Sequence, residues 1–366
     1  MEAFGIHPVS KGEGNVEGFF MLPCTDGLVA GREYPRNLPE LRAWFHTEAA
    51  CLDYLDWLRW PDGFRCPRCG SADASREEHR YRCRRCRARV SVTAGTLFDK
   101  TRTSLVTWFE AVWLMATNPR AVTASQLRRE LPISSYQTAW TMLGKLRRVV
   151  STSSNVPLSG RIEVGAVPLR SVVPSFDSAS VDSGLMLAGA IELTEAGKAR
   201  ARLQVLRHGS AAEMADFVRM ISVPGCEIVT VGSALFPEEF EGHSREHLEF
   251  DPASRKPRHL VSSVYRLFPI VRQHFSTIYN ADVDIEQIQE KFDDFSFRFN
   301  IRNVQNRGLV FMVLLQKAIA VPPVTYRDLV RDRVSTKRET RVASAEFDEP
   351  ICDLTEAQTF PWRREA

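Results

Sequence analysis

From Leu38 to Trp60 the stretch LPELRAWFHTEAACLDYLDWLRW carries its apolar residues at helical spacing, which predicts one or two short helices. A second helical segment runs from Ser104 to about Val150. Inside it, Thr123 with Gln126 and Ser134 with Gln137 form S/T-x-x-Q capping boxes, so two helices begin there. Leu131-Pro132-Ile133 closes the first, because proline disfavours helix at the residue before it. In the second, Ala139, Leu143, Leu146 and Val150 line one face, while Gln137, Thr141, Lys145 and Arg148 line another. The pair resembles a helix-turn-helix whose polar stripe suits base edges and phosphates in a major groove. An ordinary solvent-facing helix has the same look, and that reading stays open.

The small, Pro-broken stretch STSSNVPLSG (151–160) reads as a linker, and beyond it the periodicity changes. Strands are expected at RIEVGAV (161–167), GLMLAGAIEL (184–193) and ARARLQVLRH (199–208), the last two separated by the turn-like TEAGK. Residues 210–222 read as a helix opened by a capping box of Ser210 and Glu213, and CEIVTV (226–231) as a strand. Helices are expected at about 258–276, 284–299 and 306–320. Three strands, a helix, a strand and then helices make an α/β order compatible with an RNase H-like fold, though not unique to it. No internal repeat is visible.

Cysteines change the picture between these two regions. CPRCGSADASREEHRYRCRRC sets Cys66 and Cys69 in one CxxC knuckle and Cys83 and Cys86 in another, with 13 residues (70–82) between them. A short hairpin in that gap brings four thiolates to one ion, a closed set that suits structural zinc. Iron in the same geometry is the alternative. Cys24, Cys51, Cys226 and Cys352 are isolated and are given no chemistry, with Cys51 fitting a helix core.

Net charge is only +3, so composition as a whole does not mark a polyanion binder. Locally it is otherwise: arginines at 65, 68, 76, 80, 82, 84, 85, 87 and 89 face only Asp73, Glu77 and Glu78. On a metal-held scaffold, Arg82, Arg84, Arg85 and Arg87 are placed for phosphate contact. The opening MEAFGIHPVS lacks a basic region followed by a long apolar one, and the longest apolar run, LVFMVLL, is too short to span a bilayer. The expectation is a cytoplasmic, nucleoid-associated protein with no membrane contact.

Several segments resemble a known family. EYPRNLPELRAWF, CLDYLDWLRWPDGFRCPRCG, YRCRRC and VSVTAGTLFDKTRTSLVTWFEAVW look like the N-terminal half of bacterial insertion-sequence transposases with a zinc ribbon, the IS-1595 or ISXO-like group. VPGCEIVTV, KFDDFSFRFNIRN, NRGLVFMVLLQKAI and PVTYRDL are similar to segments of that group's catalytic domain, and the resemblance covers about residues 33–330. The resulting expectation is a multidomain α+β and α/β chain. It has a loose leader (1–33), N-terminal helices (34–62), a zinc ribbon (63–100) and a helical DNA-binding segment (101–150). After the linker come an RNase H-like domain of the DDE transposase type (161–325) and a charged tail (326–366).

The resemblance implies acidic residues holding two divalent metals, magnesium in an active member, for phosphoryl transfer on DNA. Its first aspartate follows a Glu-Val dipeptide; Gly165 stands there. Its second follows a threonine and precedes a glycine; Val231 stands there. Its third position is matched by His259, with Arg266 at the basic site seven residues on, and His243 also matches a family position. Neither glycine nor valine supplies the hard oxygen ligand that magnesium needs. Glu163 shares a strand face with Gly165, but the family carries a glutamate there already; Glu192 and Asp182 have no positional support. No catalytic residue is therefore retained on this reading. The chain is expected to bind double-stranded DNA such as terminal inverted repeats, as a homodimer or higher assembly, with strand transfer lost. The alternatives are an active transposase with an unusual two-metal site, and a decayed interaction scaffold.

Overall fold

The computed structural model describes residues 28–153, 157–173, 184–193, 199–232, 236–248, 262–278 and 288–330. The leader before residue 28, most of the charged tail, His259, Asp182, Cys24 and Cys352 lie outside the described residues. Two compact units emerge, one from Met1–Val156 with Ile301–Tyr326, the other from Pro157–Asn300 with Arg327–Ala366.

The first unit begins with two capped helices. Asn37 accepts the Glu40 amide at 3.0 Å to start α1 (Leu38–Trp44), and Thr47 accepts the Ala50 amide at 3.2 Å to start α2 (Glu48–Arg59). A three-stranded antiparallel sheet follows, β1 (Ala74–Glu77), β2 (Arg80–Cys83) and β3 (Arg89–Ser91), in that order. Then come α3 (Leu105–Thr117), α4 (Ala124–Glu130) and α5 (Tyr136–Ser153). Thr123 caps α4 by accepting from the Gln126 amide at 3.1 Å, but the hydroxyl that accepts from the Thr138 amide in the first turn of α5 belongs to Ser135, one residue past the expected Ser134.

In the second unit β4 (Arg161–Pro168) leads through the one-turn α6 (Leu169–Val172) to β5 (Met186–Leu193) and β6 (Arg200–Leu206). Next are α7 (Ala211–Ile221), β7 (Glu227–Val231), β8 (Ser244–Leu248), α8 (Ser263–Ile278) and α9 (Ile288–Ile301). The sheet order is β6-β5-β4-β7-β8; β4, β5 and β6 run antiparallel, while β7 and β8 run parallel to β4. The Ser210–Glu213 capping box is formed as expected. β8 was not expected: SREHL is polar and mostly exposed, with no alternating apolar face to announce it.

Strand alternation divides the core. Ile162, Val164 and Ile228 pack with α7 on one face, whereas Val167, Val229 and Val231 pack with α8 and α9 on the other. At the β6 edge, side-chain amides of α9 replace a neighbouring strand. Asn300 accepts from the Ala201 amide at 2.7 Å and donates back to its carbonyl at 3.1 Å. Gln289 does the same for the Val205 amide and the Leu203 carbonyl, both at 2.9 Å.

The last helix departs from the sequence reading. α10 (Arg307–Ala320), assigned by pattern to the second half, belongs to the first unit. Its Phe311 ring lies 5.8 Å from Phe109 and 5.6 Å from Trp113 on α3, and Leu97 donates to the Ala318 carbonyl at 3.0 Å. The physical reason is that α3 and α10 are apolar nearly all round, so each needs enclosure, and they supply it to one another. Gly308 permits the fit, since a β-carbon there would stand 1.8 Å from the Pro35 carbonyl oxygen.

Candidate metal centre and nucleic-acid surface

Each CxxC knuckle is the same tight turn. Gly70 donates to the Cys66 carbonyl at 2.8 Å with φ of +71°, and Arg87 donates to the Cys83 carbonyl at 2.9 Å with φ of +58°. Glycine takes that left-handed conformation freely; arginine holds it at a cost of about 1 kcal/mol. The β1–β2 hairpin then brings the knuckles together. Cys66 and Cys86 sulfurs are 3.6 Å apart, as are those of Cys69 and Cys83, and all four lie within 4.8 Å of one another. A tetrahedral zinc with bonds of about 2.3 Å would hold its sulfurs about 3.8 Å apart, so the donor set fits.

The four thiols perturb one another in opposite directions. Backbone N–H groups, that of Cys86 foremost, hold Cys83 below the usual thiol range. Cys69, although the Ser71 amide pulls it down, is pushed up to about 11 by burial and by its three neighbouring sulfurs. Thiolates this close conflict unless a cation sits among them. Among the described residues no second cluster of three or more such ligands exists.

The hairpin is fastened to α2 by its inner face. Phe64 and Tyr81 stack at 4.2 Å, with Trp60 edge-on to both. Tyr81 donates to Asp56 at 2.8 Å, Arg76 pairs with Asp56 at 3.1 Å, and Arg59 reaches the Val92 carbonyl at 2.5 Å. Residues 46–89 match the transposase zinc-ribbon domain family. The match thus starts inside what the sequence reading set apart as N-terminal helices, because α2 is the platform on which the ribbon rests. With its four cysteines, the ribbon supports structural zinc and a transposase-related, DNA-binding protein. No curated protein and no solved structure matches the chain.

On the ribbon's outer face, Arg80 and Arg82 of β2 alternate with the inward Tyr81 and Cys83. Register places Arg82 directly opposite Arg89 of β3. Arg84, Arg85 and Arg87 are exposed around the second knuckle, Arg84 in a loose 3.5 Å pair with Asp73.

The helix pair presents less than its sequence stripe implied. Gln137 is exposed. The Thr141 hydroxyl, however, donates to the Gln137 carbonyl at 2.8 Å. Lys145 lies 6.0 Å over the Trp108 ring, where burial lowers its pKa, and Arg148 is only partly exposed. All three are half-buried, unlike Gln137.

In the second unit, Gly165 and Val231 lie on the adjacent parallel strands β4 and β7, facing α8. The space over Gly165 is full: a β-carbon there would lie 3.0 Å from Val264 and 3.2 Å from the Tyr265 ring. Gly165 pairs with Gly189 of β5, where a β-carbon would meet Phe268 at 3.0 Å. Two glycines side by side let α8 settle close on the sheet. The Tyr265 hydroxyl donates to the Ala166 carbonyl at 3.3 Å and lies 3.5 Å from that of Val231; burial raises its pKa to about 12, so it stays a donor.

Glu163 is buried and accepts from Ser262 at 2.5 Å and from the Val264 amide at 3.2 Å, which ties it to the start of α8. Glu192 is bound to Arg200 and Ser159, His243 contacts Ser222 at 3.3 Å, and Arg266 is exposed beside Ser263. The sequence offered no sign of Tyr265's position; only the strand glycines hinted at a close approach.

Proposed function

We propose that the chain is a transposase-derived DNA-binding protein whose zinc ribbon grips duplex DNA and whose second unit no longer transfers strands. The observation that carries the DNA grip is Arg82 facing Arg89 across β2 and β3, with Arg80 on the same face. Like charges directly opposite weaken a strand pair, and a phosphate between them turns the repulsion into a contact. Arg84, Arg85 and Arg87 extend the surface, and Gln137 with the rest of the α4–α5 pair adds a second contact. Element ends, such as terminal inverted repeats, are the preferred DNA, held by two or more copies in the cytoplasm at the nucleoid.

An RNase H-like identity for the second unit is supported by its strand order, with an antiparallel meander, a helix and then two strands parallel to the first. Loss of chemistry is supported by what surrounds Gly165 and Val231. Two divalent cations need charged oxygens, but Val264 and Tyr265 fill the place beside residue 165, and Glu163 is committed to α8. These residues do not fit the metal pair that the family implies.

The test is a gel shift of the zinc-loaded chain on duplexes with candidate element ends, over a salt series. Arg82→Ala with Arg89→Ala should weaken binding to all duplexes alike and flatten the slope of affinity against salt by about two phosphate contacts. Cys66→Ser should abolish binding. In parallel, end-bearing DNA with magnesium or manganese should remain uncut; cutting that disappears in Glu163→Ala would establish an active enzyme instead.

A further inference from the structure

The start of α5 is exposed and the rest of the helix is largely covered. Residues Ser134, Ser135, Tyr136 and Gln137 are all exposed, and Tyr136, at 52% exposure, is among the most exposed large apolar residues described. One turn on, burial sets in: Ala139, Met142, Leu143 and Leu146 join the core. Trp140 packs edge-on against Tyr326 at 5.8 Å, Thr141 is turned to its own backbone, and Lys145 is folded over Trp108.

We infer that duplex DNA is read at the first turn of α5, by Tyr136 and Gln137 from the major groove, and not along the Thr141–Lys145–Arg148 flank. The inference rests on the DNA binding proposed above. In paired helices joined by a short turn, the second helix meets base edges with its N-terminal residues while the first crosses the sugar-phosphate backbone. Here that geometry places Arg128 and Arg129, exposed in the last turn of α4, where phosphates run.

Charge agrees with a nucleic-acid occupant. Between residues 105 and 153 stand Arg120, Arg128, Arg129, Lys145, Arg147 and Arg148 against only Glu110 and Glu130. Glu110 is already paired with Arg42 at 2.7 Å, and Glu130 with Arg129 at 3.3 Å. The two reading side chains have complementary chemistry. A Gln amide makes paired hydrogen bonds to the adenine N6 and N7 edge, and an aromatic ring packs on the methyl of a neighbouring thymine.

The experiment is selection from a pool of randomised duplex DNA with the full, zinc-loaded chain, followed by affinities for the selected and scrambled duplexes. Wild type should enrich a site containing an adenine step. Gln137→Ala and Tyr136→Ala should each cut the preference for that site by about 5- to 150-fold, with unchanged melting temperature and unchanged salt slope. If the preference survives both substitutions, or is erased instead by Lys145→Ala or Arg148→Ala, the first turn of α5 is not the reader. Enrichment of no site, with binding intact, likewise overturns this inference and leaves the arginine grip standing. Absence of binding to any duplex sinks the proposed function itself.

Discussion

The ring of Tyr265 stands where a side chain on residue 165 would go, 3.2 Å from the point a β-carbon would occupy. A position that the family resemblance would give to a metal-binding carboxylate is therefore packed, not merely shortened. Val264 closes it from the other side at 3.0 Å, and the Tyr265 hydroxyl bridges toward β4 and β7 through backbone carbonyls.

Restoring the acid alone should fail. Gly165→Asp forces α8 off the sheet and buries a charge against a tyrosine ring, so it should lower stability by about 1–3 kcal/mol in urea unfolding. Adding Tyr265→Ala opens room and should recover part of that loss. A single Gly165→Asp variant as stable as wild type, or one stabilised by manganese, would show the position to be open.

Removing the metal should undo the ribbon. In small zinc modules metal binding supplies about 10 kcal/mol or more of folding free energy, beyond what one short hairpin provides. Chelator treatment or Cys66→Ser should reduce bound zinc from one per chain to none. It should also expose residues 65–90 to protease and change Trp60 fluorescence, since Trp60 packs 5.1 Å from Tyr81. An unchanged protease pattern without metal would refute a structural role.

Acid should weaken the second unit through Glu192. Burial pushes this carboxyl up, but Arg200, at 2.6 Å, and Ser159 outweigh it and hold the pKa below the usual 4.5. A lowered folded value means that the stabilisation is complete above the unfolded value and is lost as pH falls through the folded one. Unfolding free energy should therefore drop below about pH 4.5. Glu192→Gln should remove that part of the slope and, by leaving Arg200 buried without its counter-charge, cost about 3 kcal/mol at pH 7. An identical pH profile in the variant would assign the acid sensitivity elsewhere.

The β6 edge should open when its amide clamps are cut. Asn300→Ala leaves the Ala201 N–H without its partner and the Ala201 C=O with only the Arg202 guanidinium at 3.0 Å, a cost of about 1–3 kcal/mol, and loosens an edge able to pair with another chain. Hydrogen exchange should accelerate at Ala201, and Gln289→Ala should do the same at Val205. Protection equal to wild type at both amides would argue that α9 covers the edge by bulk alone.

Much of this was readable beforehand because it depends on neighbours in the chain. Caps at Thr123 and Ser210, and the short apolar runs of β4, β5, β6 and β7, are local effects of free amides and of strands buried on both faces. The cap of α5 slipped by one residue because Ser134 and Ser135 are equally good acceptors, and only the path of the turn selects between them. β8 escaped notice because an exposed parallel edge strand needs no apolar face. Likewise, Lys145 looks like a solvent-facing base until Trp108, 37 positions earlier, is folded beneath it.

Sequence alone determined the metal knot, since two CxxC turns separated by a hairpin's length have few other ways to satisfy four thiols. It also determined that Gly165 and Val231 bring no carboxylate, because neither side chain has an oxygen in any fold. Tertiary structure decided the rest: that α10 completes the first unit's core, that the exposed end of α5 is its first turn, and that Tyr265 fills the place beside Gly165. The reason is range. Ligand identity and helix ends are written within a few residues, whereas enclosure of apolar surface is settled by partners distant in the chain, which no local pattern specifies.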